Sequence, residues 1–526
     1  MRDPVPELLA QTIIGLSLAV LALLLPFAAH RTYLLLLSRR PPPELPRRWS
    51  GRLPPVTVQL PLYNEAPVAR RVIDAACSLD YPARALEIQV LDDSTDETVE
   101  LVARRVAWWR ARGVNVCHSR RRERSGFKAG ALAAGVRRAQ GEFLLVLDSD
   151  FVPEPDLVRK LLPPFRLPRV GMVQARWDHL NEDANWLTRA QSLLLDGHFF
   201  FEHGGRYRGG LFFNFNGTAG MWRRECLEDA GGWQADTLTE DLDISYRAQM
   251  RGWRFVFLED IGVPAELPDQ TGAFEIQQRR WSQGGIQTAR KLLPELLRGP
   301  WPLSVKKEAV IHLCGHIAYP LTLLLGLLIY PSALARRALG GEEFLFIDLV
   351  VFFLATIPFV IYYAAAGRKR NRPWGDLVPS VAVTLATGVG LTAPATRAVL
   401  RGLAGRRDSF ARTPKKGSGG MVRERPGSQT PDTLFKLAMA MVMSLFVGAA
   451  MQAQLYASIP FLMLFAVGYW SLGVGGLKRF GPGPRIPQQQ RVEGQPEEEN
   501  RPEGPRPLAG LQVRTQTQVR DECEAA

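Results

Sequence analysis

Four groups of residues have types and spacings that can do chemistry. Leu91-Asp92-Asp93-Ser94 and Leu147-Asp148-Ser149-Asp150 each place two carboxylates at the end of a short apolar run. Asp148 and Asp150 are two apart, so in extended backbone they project to one side and can share a divalent cation through oxygen ligands. Either pair alone also reads as helix capping, Ser94 with Glu97 fitting a capping box. Two such pairs together favour a metal-diphosphate site. Thr237-Leu238-Thr239-Glu240-Asp241-Leu242-Asp243 opens a helical pattern. Thr237 with Glu240 is again a capping box, and acids are favoured at a helix N-terminus. A cap does not account for Glu240, Asp241 and Asp243 together, and one of them is a candidate general base. Gln277-Gln278-Arg279-Arg280-Trp281 supplies an Arg fork that matches diphosphate oxygens and a flat Trp face for a sugar ring. An interfacial helix with a Trp belt and snorkelling Arg is its other reading. His198, Glu202 and His203 lack zincin spacing, and His312 and His316, near an apolar run, take no assigned role. No glycine-rich dinucleotide or P-loop motif occurs.

The elements that must hold these residues alternate. Residues 56–60, 87–91, 114–118, 143–147 and 170–175 read as strands, and 68–78, 97–112, 129–138 and 156–163 as helices. Such alternation predicts an α/β domain with a mostly parallel sheet, whose ligands bind beyond the carboxyl ends of the strands. Both acidic pairs fall on that edge. Around this region the apolar residues are concentrated: 9–29, 310–334, 344–366 and 434–474 are nearly free of charge and long enough for one or two bilayer spans each. A purely soluble enzyme is excluded. The first run lacks a positive leading segment and is longer than a signal h-region, so it reads as an uncleaved anchor.

Net charge is +13 over 526 residues. The excess arginines crowd beside the apolar runs, at Arg31, Arg39, Arg40, Arg47, Arg48 and Arg52 and at Arg368, Lys369, Arg370 and Arg372, flanks that the positive-inside rule assigns to the cytoplasm. No basic module interleaved with aromatics is present, so no nucleic-acid partner is expected. Cys77, Cys117, Cys226, Cys314 and Cys523 are scattered and read as unpaired thiols in a reducing compartment. Residues 417–430 are rich in Gly, Ser and Pro and read as a flexible loop; 481–526 hold too few apolar residues to order themselves.

Taken together the motifs resemble the inverting family 2 glycosyltransferases, whose pattern is Asp, Asp-x-Asp, Thr-Glu-Asp and Gln-x-x-Arg-Trp in that order. Further matches are Gln59-Leu60-Pro61-Leu62-Tyr63-Asn64-Glu65, Gly126-Phe127-Lys128-Ala129-Gly130-Ala131-Leu132, Phe215-Asn216-Gly217-Thr218-Ala219-Gly220 and Phe410-Ala411-Arg412-Thr413-Pro414-Lys415. These look like the membrane-embedded cellulose synthase-like branch, particularly its glucomannan synthase type. The resemblance implies a Rossmann-like GT-A domain that uses a nucleotide sugar and Mg²⁺ or Mn²⁺. It implies that Asp92, Asp93, Lys128, Asp148 and Arg280 bind the donor, that Asp148 and Asp150 hold the metal, and that Asp241 takes the acceptor proton. Phe215, Asn216, Gly217, Thr218, Glu240, Gln277 and Trp281 would meet the acceptor, and Phe410, Arg412, Thr413 and Lys415 belong to a loop resembling a gating loop. Where cellulose synthases proper carry Val-Thr, Arg412-Thr413-Pro414 stands here, which argues against cellulose as the product.

The expected organisation is an anchor at 1–32, a GT-A domain at 53–300, two spans in 305–370, an interfacial or re-entrant segment with the gating-like loop at 371–433, a transmembrane hairpin at 434–475 and a disordered cytoplasmic tail at 476–526. The segment 377–394 cannot be a complete span if the gating-like loop is to stay cytoplasmic. The expected function is inverting, metal-dependent transfer of hexose from UDP-glucose or GDP-mannose to a growing β-linked polysaccharide. Localisation is expected in the cell membrane, multi-pass, with a cytoplasmic catalytic domain. Partners would be the nucleotide sugar, a glycan or lipid acceptor and the bilayer, with an export partner not named by the sequence. The enzymatic rival transfers one sugar to a lipid, making a glycolipid or polyprenyl-phosphate sugar. A transporter or scaffold with an inactive domain would predict damaged acidic motifs, and all are intact.

Overall fold

The computed structural model describes residues 6–340, 345–406, 410–415, 417 and 430–477. Its polar half is built on seven strands, β1 (Val56–Leu62), β2 (Leu86–Asp92), β3 (Val116–Arg120), β4 (Phe143–Val146), β5 (Val170–His179), β6 (Gly220–Arg223) and β7 (Arg254–Ala265). They lie in the order β3-β2-β1-β4-β6-β5-β7. β1 runs parallel to β2 and β4, β2 to β3, and β5 to β7, while β6 runs antiparallel between β4 and β5. This is the mixed, mostly parallel GT-A-like sheet that the resemblance implies.

Helices cover both faces, and β4 accordingly reads as an unbroken apolar run, while β1 and β2 alternate apolar residues with Thr57, Gln59, Glu87 and Gln89. Alternate residues of β4 divide between the two cores. Phe143 and Leu145 pack with Val72 and Ile73 of the Ala66–Cys77 helix. Leu144 and Val146 pack with Leu132 of Phe127–Arg138 and Ile244 of Glu240–Met250.

Two strands were not expected from the sequence. β6 has four residues, too few to show a period, and β7 interrupts its apolar residues with Glu259, Asp260 and Pro264. β6 matters for the site, because a strand running against its neighbours begins at the edge where they end. Residues 215–218, just before it, are thereby delivered to the carboxyl edge of the sheet.

Neither expected capping box forms. One helix starts at Thr98 with no side-chain cap, and Ser94 Oγ instead accepts from the backbone of Asn64 at 2.8 Å. The helix Glu240–Met250 also lacks a side-chain cap, and the buried Thr237 hydroxyl has no partner among the described residues. The acids beside these serine and threonine residues are therefore left for other work.

Among the described residues four helices are long and apolar enough to cross a membrane: Glu7–Leu37, Leu303–Ala338, Asp432–Gln452 and Tyr456–Leu477. A further helix, Leu345–Lys369, occupies the run expected at 344–366. Over 377–394 the chain forms Trp374–Gly390 and Thr392–Leu403, bent by 45° at their junction, a broken span or a re-entrant loop. Apart from its two end residues the loop expected at 417–430 lies outside the described residues, as do 481–526 with Cys523. Cys77, Cys226 and Cys314 are unpaired thiols.

The 28-residue helix Thr271–Arg298 carries the Gln-x-x-Arg-Trp motif. Its far side is tied to the helix Asp432–Gln452: Glu275 pairs with the buried Lys436, and Asp432 takes both Arg279, at 3.2 Å, and Arg397.

Candidate active site

The carboxyl ends of β1, β2, β4, β5 and β7 and the segment before β6 surround a cavity of ≈150 Å³. Tyr63 and Glu65 reach it from β1, Asp93 from β2, Asp148 and Asp150 from β4, and Trp177 and Asp178 from β5. Asn216 and Gly217 enter ahead of β6, Thr239 to Asp241 from the start of the Glu240–Met250 helix, and Gln277, Arg280 and Trp281 from Thr271–Arg298. Phe410, Arg412, Thr413 and Lys415 close the remaining side.

Both carboxylates of the Asp-Ser-Asp pair already hold an ammonium. Lys128 Nζ lies 2.6 Å from Asp148 Oδ1 and donates to the Gly217 carbonyl at 3.0 Å. Burial opposes the charge on Lys128, but Asp148 and Glu240 outweigh it and its pKa is raised. Lys415 Nζ lies 2.5 Å from Asp150 Oδ2. Burial pushes the Asp150 carboxyl up, against the pull of Lys415. Two carboxylates in a site that gathers positive charge are a hard oxygen set suited to Mg²⁺ or Mn²⁺. Among the described residues no cluster of three or more His, Cys, Asp or Glu forms a metal site from protein groups alone. The pair fits an ion that takes one or two carboxylates and completes its shell with substrate phosphates and water.

Asp241 lines the same cavity. Burial, then the charge of the adjacent Glu240, pushes its carboxyl up to about 7, with Lys128 and Arg280 pulling the other way. One oxygen, Oδ1, accepts from the Leu242 backbone at 2.8 Å, which orients the group. The other, Oδ2, faces Gly217, whose φ is +80° and whose added Cβ would stand 3.0 Å from it. Glycine is required there on both counts.

A second and larger cavity, ≈520 Å³, lies among the apolar helices. His30 and Arg31 of the Glu7–Leu37 helix line it, with His198 and Glu202, and with His312 and His316 of the Leu303–Ala338 helix. It shares Trp177, Leu195, Asn216, Thr239, Asp241, Gln277 and Trp281 with the first. A turn of π-helix, His198–His203, shapes its wall. His198 lies 3.1 Å from Glu202 and 3.2 Å from the Asn216 side chain, and burial pulls its pKa down to about 3. His198 is therefore a neutral hydrogen-bonding group, while Glu202 is ion-paired with Arg31 and Arg206.

Residues 54–284 match the family model described as Glycosyltransferase like family 2. Over that stretch the chain is similar to family 2 glycosyltransferases. Curated relatives of this region include glucomannan 4-beta-mannosyltransferase 2 of Arabidopsis thaliana, 42% identical over 268 residues, 50% of each chain. Glucomannan 4-beta-mannosyltransferase 1 of Oryza sativa subsp. japonica is 40% identical over 277 residues, 52% of this chain and 53% of its own. The chain thus spans about half the length of these relatives. A solved mannosyltransferase from Pyrobaculum calidifontis, in complex with GDP-Man and Mn²⁺, aligns at 22% identity and TM-score 0.48, over 68% of this chain and 98% of its own.

Within the matched region, three of the site residues implied by the resemblance stand behind the cavity and do not line it. Asp92 is buried at the end of β2, 2.8 Å from His118 Nε2 and accepting from the Ser94 backbone at 2.8 Å. Burial opposes that charge, but the hydrogen bonds from His118 and Ser94 hold its pKa below the ordinary value. Phe215 is a core residue packed edge-on against Trp222, their centroids 5.6 Å apart. Thr218 is buried and accepts from the Asp148 backbone at 2.8 Å. The other named residues all line the cavity.

Lining residues without an assigned role also emerge. Arg124 stacks on Tyr63 at 3.4 Å, and Arg121, outside the lining, grips both oxygens of Asp93, at 3.0 and 2.5 Å. Glu65, pushed up in pKa by burial, lies 3.3 Å from Arg412. The run Arg120-Arg121-Arg122 just after β3 was the available signal, since parallel neighbours end on the same edge.

Proposed function

We propose that the chain is a membrane-embedded, inverting glycosyltransferase that adds hexose from a nucleotide sugar to a growing β-linked polysaccharide and passes the product between its apolar helices. The observation that carries this reading is the set of residues shared by the two cavities, Asp241, Asn216, Gln277 and Trp281 among them. An acceptor end seated on them would have its older sugars among His198, His312, His316 and Tyr319, which line the larger cavity. Hydroxyl-rich sugars suit such groups better than an alkyl chain does. The names of the relatives favour a mannosyl donor, with UDP-glucose the next to test.

In this reading Lys128 and Arg280 hold the donor diphosphate, Asp93 borders the nucleotide, and Trp281 offers its face to the acceptor sugar. Mg²⁺ or Mn²⁺ held by Asp148 and Asp150 would neutralise charge on the departing diphosphate. Asp241, with a pKa of about 7, takes the proton of the attacking hydroxyl at neutral pH, help worth typically ~10²–10⁴-fold. With one base and no carboxylate acting as nucleophile, the reaction is a single displacement that inverts the anomeric centre. The nucleotide sugar requires the domain to face the cytoplasm, and the basic end of the Leu345–Lys369 helix agrees with that side. A cysteine placed at Asn371 should then label only from the inner face.

The test is reconstitution in lipid with Mg²⁺ or Mn²⁺ and a panel of sugar nucleotides. Nucleotide release with a product cut by a linkage-specific endo-glycanase is expected. A lipid carrying one sugar would replace the polymerase with a single-transfer enzyme, and no release from any donor would refute both.

A further inference from the structure

Asp148 and Asp150 are both paired with lysine, but the two lysines are held in different ways. Lys128 belongs to the Phe127–Arg138 helix of the catalytic domain and is fixed on its other side by the Gly217 carbonyl. Lys415 arrives on the segment that follows the bent Trp374–Gly390 and Thr392–Leu403 pair. That segment is pinned at several points. Phe410 stacks against Phe127, centroids 6.1 Å apart, with Arg280 4.5 Å from its ring. Arg280 donates to the Ala411 carbonyl at 3.3 Å, and Arg412 meets Glu65.

Asp150 is buried, and a buried carboxylate without a counter-charge is costly. Lys415 meets that need, and in doing so it occupies a carboxylate that the proposed function assigns to a divalent ion. The segment that brings it also fills space. The cavity left beneath it, ≈150 Å³, is smaller than the roughly 300–1,000 Å³ of ordinary ligand pockets. An occupied cation seat and a filled donor cavity therefore coincide in one arrangement of the chain.

We propose that Lys415 is the resident cation of the empty enzyme, and that a divalent ion reaches Asp150 only by displacing it. The inference rests on the metal-carboxylate part of the proposed function and extends it. Ion binding and release of the Phe410 to Lys415 segment become one exchange, so ion and donor are admitted together. The exchange balances charge at Asp150, which is paired before and after it. Thr413, whose buried hydroxyl has no hydrogen-bond partner among the described residues, sits on the same segment, so its hydroxyl gives up no described hydrogen bond when the segment leaves.

The experiment measures Mn²⁺ binding by the full chain, from the electron paramagnetic resonance signal of the free ion, with no sugar nucleotide present. Lys415→Met removes the competitor and is expected to tighten Mn²⁺ by roughly tenfold or more, the low end of what close, desolvated charge pairs are worth. Lys415→Arg keeps the charge and should stay within about twofold of the wild type, a small change on the same scale. Equal or weaker binding by Lys415→Met, or equal tightening by both variants, would overturn the proposal. Asp150→Asn should abolish the site. If it left Mn²⁺ binding unchanged, the metal-carboxylate assignment would fall and the exchange with it. None of these outcomes depends on the sugar or on product length.

Discussion

Gly217→Ala tests the reaction geometry most directly. The new methyl would stand 3.0 Å from Asp241 Oδ2 and 3.5 Å from Lys128 Nζ, so the carboxylate must give by at least 0.4 Å to reach ordinary contact at 3.4 Å. A misplacement of 1 Å can cost about 10²-fold in rate, and 0.4 Å scaled in proportion on a logarithmic axis gives about sixfold. The left-handed φ adds strain of roughly 1–2 kcal/mol, borne by stability. Gly210→Ala separates the two effects. Its φ is +65° and nothing lies within 4 Å of the added Cβ, so it carries similar strain in open space. Both variants should therefore lose comparable thermal stability, while only Gly217→Ala loses turnover in a nucleotide-release assay. A Gly217→Ala enzyme within twofold of wild-type kcat, or a Gly210→Ala enzyme equally slowed, would refute the claim that Gly217 makes room for the base.

Asp241→Asn should lower kcat by ~10²–10⁴-fold with unchanged unfolding temperature; wild-type turnover would remove Asp241 from the chemistry. Because the base must be ionised, kcat/KM should rise with pH to half its plateau near 7, and Glu240→Gln, by removing the neighbouring charge, should move that limb to lower pH. A limb that stays in place would assign the titration to another group. Glu275→Ala leaves Lys436 buried without its partner and is expected to cost roughly 3–5 kcal/mol, most of it recovered when both are replaced by leucine. Unfolding in detergent reads this directly, and an unaffected single variant would mean the pair is not structural.

The parts of this molecule that were legible in its sequence are those that rest on local pattern. Strands such as β1 and β2 announce themselves by Val, Ile and Leu alternating with polar residues, and Asp93, Asp148 and Asp150 fall at strand ends by a rule of topology. Asp92 escaped because its fate depends on β3, the neighbouring strand, where His118 waits 26 residues further on. Phe215 was drawn to the acceptor by its place in a motif, yet the antiparallel β6 that follows turns the ring inward against Trp222. The pairing of Lys415 with Asp150 joins residues 265 apart, a separation at which sequence carries no geometric signal.

The ties between the Thr271–Arg298 helix and the Asp432–Gln452 helix have a mechanical consequence. Gln277, Arg280 and Trp281 face the smaller cavity, while Glu275 and Arg279 grip the last apolar hairpin. A helix fastened in this way is a lever with its fulcrum at the Glu275–Lys436 and Arg279–Asp432 pairs. If the hairpin spans the bilayer, a thicker or thinner membrane changes its tilt. Lipid chain length then becomes an input to the cavity, felt at Trp281.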